Sequence, residues 1–440
     1  MRYLRYLAVA MLTLILASSA FAGQTTVTIG TINNNDMIIM QELSREFEKQ
    51  NPGIKLNWVI LEENTLRQRI TTDISTNSGQ FDIMTIGLME APMWGERGWL
   101  APLENFPAEY EYDDLIPSVR DGLAFGGKQY ALPFYAESQM LFYRKDLFEK
   151  AGIAMPEEPT WDQVAEMAAK LHDPANGIYG ITMRGKPGWG ESGGQITPFA
   201  YSTGARWFDM DWKPQFTTPE FKEALTKYTD LVKKYCPPGS TSNGFNECLM
   251  VFASGKAAMW SDATIAAAFL ADPDHSSVIG NVGYASQPYV KYKKGRNYLW
   301  SWALAIPVSS KSKNAAQKFL MWATSPEYIQ LVADSRGWEQ VPAGTRMSLY
   351  KNPKYLEAAP FADMTFKMIM EAEIHDPAQQ PVPYVGNSYI CIPEFAGIGN
   401  FATQEYAAVM SGDKTVDEAV QAVQDFAERT MREAGYYDKK

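Results

Sequence analysis

Cysteine and histidine are both scarce in this sequence, with three of each among 440 residues. Neither type recurs at a spacing typical of metal ligands, so we predict no metal site, and no motif indicates a cofactor. The histidines His172, His275 and His375 each lie in or beside an Asp-Pro or Pro-Asp turn, where a solvated loop position is the usual role. This placement argues against a hydrolase of the serine–histidine type.

Runs of basic residues and long apolar segments are also missing from most of the chain. The formal net charge is −11, and no cluster of lysine and arginine interrupts the acidic surplus. This balance argues against nucleic acid or an anionic membrane as a partner. A membrane-spanning helix needs about 20 apolar residues. Beyond Ala22, no stretch of that length is free of charges.

The start of the chain, Met1–Ala22, has the pattern of an export signal. Arg2 and Arg5 provide the positive region, Leu7–Leu16 the apolar core, and Ala20-Phe-Ala22 the cleavage site. The residue directly after the cleavage site is Gly23 and not a cysteine, so a lipid anchor is not expected. We therefore expect cleavage after Ala22 and a mature chain that is free in a bacterial periplasm.

Two of the three cysteines, Cys236 and Cys248, border a loop rich in proline, glycine, serine and asparagine. Such a loop cannot build a core of its own. In an oxidising compartment, a disulfide between the two cysteines would stabilise it by roughly 3 kcal/mol. We therefore expect this disulfide, with Cys391 left as a small buried apolar residue.

The rest of the composition is that of a large, aromatic-rich chain with alternating strands and helices. Hydrophobic residues make up 46% of it, and its length suggests two lobes. Near the N-terminus, the strand patterns Thr26–Gly30, Ile54–Leu61 and Phe81–Ile86 alternate with helical patterns. This alternation predicts a parallel sheet with right-handed crossovers.

The carboxyl ends of these predicted strands carry polar side chains. Ligands of parallel α/β sheets lie beyond such ends. The candidates there are Asn33, Asn34 and Glu63. Asparagine at such a position is also a common turn former or helix cap, and the two interpretations stay open.

The segment Tyr130–Ile153 has the pattern of a crossover between two lobes. Pro133 lacks the donor that a central strand needs, so we expect the chain to leave its first sheet there. The polar pair Glu137-Ser138 then precedes a second apolar run, Met140–Tyr143, and a short helix that Gly152 ends.

Three motifs in and after this crossover are similar to those of a known family. They are Leu132-Pro-Phe-Tyr-Ala-Glu137, Leu141-Phe-Tyr-Arg-Lys-Asp-Leu-Phe148 and Pro159-Thr-Trp-Asp162. Together they resemble the first inter-lobe crossing of the extracellular solute-binding proteins of ABC importers. The similarity is greatest to the maltose-binding-like group that binds sugars and polyols, and it covers essentially the whole mature chain.

The resemblance implies a type II periplasmic binding protein fold, an α/β architecture of two lobes joined by a hinge of several crossings. The expected N-terminal lobe comprises residues 23–133 plus 289–334, and the C-terminal lobe residues 134–288 plus 335–440. It also implies a monomer without catalytic activity. Such a protein captures a small polyol or sugar in its cleft and delivers it to permease subunits in the inner membrane.

Further candidate ligand-binding residues come from a glycine-rich loop, from one strand and from segments that resemble family motifs. Glycines surround Arg184, Trp189 and Glu191, a composition typical of a surface that a ligand approaches closely. Period-two spacing places Trp300 and Trp302 on one face of a strand, and the resemblance favours Trp302. The resemblance adds Asp82, Glu137, Trp260, Asp262, Trp338, Tyr384 and Asn387. Taken singly, each of these residue types is more often structural, and Asp82 is equally suited to bracing its strand.

This mixture of side chains suits a neutral ligand with many hydroxyls. Charged groups make strong hydrogen bonds to hydroxyls, and indoles cover the C–H patches between them. The mixture favours a linear six-carbon alditol such as sorbitol or mannitol over an oligosaccharide, which needs a longer groove. A secreted hydrolase with paired carboxylates remains the alternative, because the separation of carboxylates cannot be obtained from sequence.

Overall fold

The computed structural model describes residues 24–438, so the expected export signal lies outside the described residues. None of the helices within that range combines the length and hydrophobicity needed to cross a bilayer. The first half of the chain contains β1 (Thr25–Ile32), α1 (Asn35–Gln50), β2 (Ile54–Leu61), α2 (Glu63–Thr76), β3 (Ile83–Ile86), α3 (Glu90–Glu96), α4 (Pro117–Gly122), β4 (Ala124–Phe125), β5 (Lys128–Gln129), β6 (Ala131–Glu137), β7 (Gln139–Arg144), α5 (Lys145–Ala151), α6 (Trp161–Leu171) and α7 (Ser192–Tyr201).

The second half is mostly helical. It contains α8 (Pro219–Tyr235), α9 (Phe245–Ala253), β8 (Met259–Ala263), α10 (Ala266–Leu270), β9 (Val282–Ser286), β10 (Trp300–Ala305), α11 (Lys313–Ala323), α12 (Pro326–Arg336), α13 (Pro353–Ala358), α14 (Ala362–Glu371), α15 (Phe395–Ser411) and α16 (Val416–Glu433). Short 3-10 turns at 108–110, 112–114, 174–176, 240–242, 338–340 and 349–351 connect these elements.

The first lobe is built on a five-stranded sheet with the order β2-β1-β3-β10-β6. β1 runs parallel to β2 and β3, as the strand–helix alternation predicts, and β10 is antiparallel to β3 and β6. The strands bury apolar side chains such as Val27, Ile29 and Ile83 against the flanking helices. The carboxyl ends of β1 and β2 therefore meet at one edge of this sheet, where a ligand of such a fold binds.

Pro133 does not end the first sheet, contrary to the sequence-based expectation. β6 continues through it to Glu137 and pairs with β10 along its length. The proline is tolerated because β6 is an edge strand, and because the register shifts between Trp302 and Ala303 next to it. The chain leaves the first sheet at Ser138 instead, since β7 already belongs to the sheet of the second lobe.

The second lobe is built on a smaller antiparallel sheet with the order β8-β7-β9. Two of its helices begin at capping boxes: Thr160 and Gln163 form that of α6, and Thr415 and Glu418 that of α16. The glycine-rich loop, in contrast, passes into helix α7, which the sequence analysis did not predict. This helix is wholly buried, so packing compensates for its poor local propensity.

The predicted disulfide between Cys236 and Cys248 is absent from the structure, in which both residues are free, buried thiols. The segment between them is more ordered than its composition suggests. It forms a 3-10 turn at Ser240–Ser242 and then α9, which buries Cys248 beside Leu249 and Phe252. Packing of α9 on the lobe therefore holds this segment without a covalent bond. Cys391 is also free, and it is partly exposed rather than buried.

Candidate ligand-binding site

A cavity of about 80 Å³ lies between the two lobes. The first lobe contributes residues that follow β1 and β2, the end of β6 and the beginning of β10. The second lobe contributes the loop before α7 and the beginning of α9. The lining residues are Ile32, Asn33, Asn34, Glu62, Glu63, Arg67, Tyr135, Glu137, Arg184, Lys186, Trp189, Gly190, Glu191, Gly194, Gln195, Phe245, Asn246, Glu247, Ile265, Tyr298, Trp300, Trp302 and Ser388.

The structure brings together nine of the side chains that the sequence analysis selected. They are Asn33, Asn34, Glu63, Glu137, Arg184, Trp189, Glu191, Trp300 and Trp302. Asn34 is a helix cap, because its Oδ1 accepts from the backbone N–H of Met37 at the start of α1. Its Nδ2 donates to the hydroxyl of Tyr135 at 2.7 Å. Direct contact of these nine side chains with a ligand stays a prediction.

Trp300 and Trp302 reach the cavity because of the pairing between β10 and β6. Trp300 pairs with Glu137, and Trp302 pairs with Tyr135. Alternate residues of a strand point to the same face, so both indoles and both partner side chains lie on the cavity side of the sheet. The two indole rings meet edge to face, with centroids 5.5 Å apart.

Arg184 is a buried cation at the second-lobe wall of the cavity. Its Nε and Nη2 donate to the carboxylate of Asp262 at 2.5–3.2 Å, and its Nη1 is 3.4 Å from Glu191. Asp262 is fully buried and also accepts from the indole Nε1 of Trp260 at 3.1 Å. Burying a cation is tolerated because these acids pair with it and fix its orientation.

Glu137 is an acid whose surroundings favour the neutral form. Burial raises the pKa of Glu137 well above its ordinary value; the Arg184 guanidinium lowers it, and the carboxylates of Asp262 and Glu63 raise it again. A protonated carboxyl carries one donor and keeps its acceptors. Glu137 can therefore both donate to and accept from ligand hydroxyls.

Arg67 is the most connected residue of the site that sequence reasoning missed. Its guanidinium lies over the rings of Trp189, Trp302 and Trp300 at 3.9, 4.7 and 5.0 Å from their centroids. It forms ion pairs of 2.9 Å with Glu63 and with Glu90. The spacing of four residues between Glu63 and Arg67 on a predicted helix was the available signal.

Other residues of the cavity were also missed. They are Tyr135, Lys186, Gln195, Phe245, Asn246, Glu247, Tyr298 and Ser388. Lys186 lies in the glycine-rich loop that supplied other candidates, so the loop itself was the signal. Tyr135 lies in the crossover motif. For the remaining six, the sequence carries no signal that separates them from ordinary polar or core positions.

Six of the predicted ligand-binding residues lie outside the cavity and make structural contacts. Asp82 braces β1, since its carboxylate accepts from the Thr28 amide at 3.0 Å and from the Ser310 hydroxyl at 2.6 Å. Asn387 accepts from the Leu299 amide at 3.1 Å. Asp262, as described above, holds Arg184.

The remaining three are aromatic. The hydroxyl of Tyr384 accepts from the Trp207 amide at 3.1 Å. Trp260 is fully buried and stacks on Phe142, with centroids 5.2 Å apart. Trp338 is partly buried against the core of the protein.

Metal chemistry finds no support among the described residues. Between residues 24 and 438, no group of three or more histidine, cysteine, aspartate or glutamate side chains could hold a metal ion. The cations that line the cavity are Arg67, Arg184 and Lys186, and each already pairs with carboxylates. The arrangement can bind and enclose a polar molecule.

Known proteins with similar sequences and structures share this architecture. Residues 33–330 match the family of bacterial extracellular solute-binding proteins. A mannitol-binding protein of Pseudomonas aeruginosa is 51% identical over 414 residues, which cover 94% of this chain and 95% of that protein.

Two crystal structures are also similar. An ABC transporter solute-binding protein from Agrobacterium vitis S4, with bound D-mannitol, is 53% identical, with a TM-score of 0.92 over 93% of this chain and 99% of that one. A second one, from Agrobacterium radiobacter K84 in complex with ribitol, is 25% identical, with a TM-score of 0.81 over 92% of this chain and 99% of that one.

These similarities confirm the predicted two-lobe fold and a binding protein of an ABC transporter rather than an enzyme. They give no support to the alternative of a secreted hydrolase. The chain belongs to the family of bacterial extracellular solute-binding proteins.

Proposed function

We propose that this protein binds a linear six-carbon alditol between its lobes and delivers it to the membrane permease of an ABC importer. D-mannitol is the first candidate and sorbitol the second. The observation that carries the proposal is the cavity between the lobes in which paired charges converge with three indoles. The mannitol and ribitol bound by the relatives are both linear alditols, which supports this ligand class.

The size of the cavity favours a small ligand. Its volume is about 80 Å³, well below the roughly 300–1,000 Å³ typical of sites for drug-sized ligands. A disaccharide has about twice as many heavy atoms as a six-carbon alditol, so the alditol suits this cavity better.

The charges of the cavity favour a neutral ligand. Five acidic and three basic side chains line it. All three basic groups already pair with acids: Arg67 with Glu63, Arg184 with Glu191, and Lys186 with both Glu191 and Glu62. An anionic ligand such as a sugar acid or sugar phosphate would meet surplus negative charge and no unpaired cation. A neutral polyol needs only hydrogen bonds, which paired charged groups still provide.

Delivery to a permease requires an exported protein that closes around its ligand. We expect cleavage after Ala22, a periplasmic location and a monomer. The lobes expected from the sequence are residues 23–133 plus 289–334 and residues 134–288 plus 335–440. Because β6 extends to Glu137, we propose that the first boundary lies at Ser138. The three crossings near residues 138, 287 and 337 would then form the hinge.

Titration calorimetry on the mature protein tests the ligand. We expect micromolar binding of D-mannitol, weaker binding of sorbitol, and none of maltose or mannonate. Solution scattering with saturating mannitol should show a smaller radius of gyration than without ligand. Tight maltose binding without any response to alditols would contradict the ligand class and leave the fold unaffected.

A further inference from the structure

Two larger spaces adjoin the ligand cavity, one of about 790 Å³ and one of about 700 Å³. The space of about 700 Å³ lies between the lobes, and we call it the outer groove. Its first-lobe side includes Met93, Trp94 and Trp99, and its second-lobe side includes Pro393 and Ala396. The outer groove is about nine times larger than the ligand cavity and is rich in apolar and aromatic surface. Such surface suits the C–H faces of a sugar ring.

Only two residues line both the ligand cavity and the outer groove, and they are Arg67 and Trp189. They come from opposite lobes and contact each other directly, with the guanidinium carbon 3.9 Å from the centroid of the indole ring. Both are almost fully buried. The pair is therefore the partition between the two spaces.

The partition is held firmly on both sides. Arg67 forms ion pairs of 2.9 Å with Glu63 and Glu90, and Glu90 also accepts from the amide of Gly87 at 3.0 Å. Trp189 donates its backbone N–H to Asn400 at 3.1 Å. These bonds fix the position of the partition.

Two glycines allow the close approach that the partition needs. A Cβ at Gly399 would come within 2.8 Å of the Cβ of Trp189. A Cβ at Gly190 would lie 2.1 Å from the carboxylate of Glu63 and 3.1 Å from the guanidinium of Arg67. Larger residues at either position would push the two halves of the partition apart.

We propose that Arg67 and Trp189 limit the length of the ligand in the direction of the outer groove by closing the cavity at that end. The inference rests on the proposed function, since it assumes that a polyol occupies the cavity. Removal of the indole would join the cavity to the outer groove. The enlarged site would accept an alditol that carries a sugar ring, with the alditol in the cavity and the ring in the groove.

Calorimetry with ligands of increasing length tests this in the wild-type protein. Five-, six- and seven-carbon alditols (xylitol, mannitol and a heptitol) would be compared. We expect affinity to fall at least about tenfold from mannitol to the heptitol, because the seventh carbon meets the partition. Equal affinity for the heptitol would overturn the inference while the proposed function stands. A wild-type protein that binds no mannitol would overturn both.

Variants test the partition directly, with isomaltitol, a sorbitol that carries a glucosyl group on its terminal oxygen, as the probe. We expect Trp189→Ala to bind isomaltitol at least about tenfold more tightly than the wild type does, while Trp189→Phe shows no such gain. Trp58→Ala, at a partly buried tryptophan of β2 that lines neither space, should match the wild type with mannitol and with isomaltitol. Circular dichroism checks that each variant is folded. A folded Trp189→Ala protein without any gain in isomaltitol affinity would contradict the inference. If that variant does not fold, the heptitol comparison decides.

Discussion

Asp262 is the counter-ion that positions Arg184 in the wall of the ligand cavity. Three hydrogen bonds of 2.5–3.2 Å join the two side chains, and Asp262 itself has no exposed surface. Asp262 also accepts from Trp260 and Gln195 at 3.1 and 3.2 Å. The carboxylate thus organises the second-lobe wall without lining the cavity.

The first prediction concerns this carboxylate. Asp262→Ala removes the shortest ion pair of the buried Arg184 guanidinium and leaves the 3.4 Å contact with Glu191, so we expect a loss of about 3–5 kcal/mol in the free energy of unfolding. Mannitol affinity should fall by roughly tenfold to hundredfold, because Arg184 loses its fixed orientation. Denaturant unfolding and calorimetry measure the two effects. Asp162→Asn, which removes a carboxylate that is 69% exposed, is the control and should change neither quantity.

A second prediction follows from the neutral form of Glu137. Burial, opposed by Arg184 and reinforced by Asp262 and Glu63, raises the pKa of Glu137 well above its ordinary value. A glutamine has the same shape and also offers a donor and an acceptor. We expect Glu137→Gln to retain mannitol affinity within about threefold, and Glu137→Ala to lose roughly tenfold or more. If calorimetry shows equal losses for both variants, the carboxylate binds in its charged form.

Lys186 provides a third prediction, because it joins the lobes. It lies in the second-lobe loop and contacts Glu62 of the first lobe at 2.6 Å and Glu191 of its own lobe at 3.3 Å. The Glu62 side chain is 46% exposed, so the contact is worth at most about 1 kcal/mol. Lys186→Met should therefore speed mannitol dissociation by up to about fivefold in stopped-flow fluorescence. Lys227→Met, whose partner Asp162 lies in the same lobe, should leave the dissociation rate unchanged.

Much of the fold could be predicted from the sequence because its signals are local. The capping boxes at Thr160 and Thr415 involve residues three positions apart, and the alternation of strands and helices spans few residues. Pro133 was misinterpreted because the sequence does not show that its strand lies at the edge of a sheet. The disulfide was expected because the sequence does not show that α9 is buried, since this burial depends on distant parts of the lobe.

The site could be predicted only in part, since its geometry depends on contacts between distant segments. Arg67 contacts Trp189 and Trp300, which are more than a hundred positions away in the chain. The family resemblance selected Asp262 as a ligand-binding residue, but it lies behind Arg184, a position that depends on the pairing of β7 with β8. Residue type alone therefore did not separate the residues of the cavity from those that support them.

The last prediction concerns Asp36, a buried aspartate in the first turn of α1. Burial raises the pKa of Asp36 to about 7, against a smaller lowering by its own backbone amide. An unfolded aspartate titrates near pH 4, at about 3.9. Between these two values the folded state binds the additional proton, so the free energy of unfolding falls as the pH rises from about 4 to about 7. Above pH 7 Asp36 is ionised in the folded state as well, and the free energy of unfolding is lowered by the full cost of burying its charge.

Asp36→Asn removes this ionisation and keeps the size of the side chain. We expect its melting temperature, relative to that of the wild type, to be higher by a few degrees at pH 8 and to lose most of this advantage at pH 5. Differential scanning calorimetry across this range measures the difference. Asp334→Asn, at an exposed aspartate, controls for the loss of one negative charge and should show a difference that does not vary with pH. A constant difference for Asp36→Asn as well would mean that Asp36 is not protonated in the folded protein.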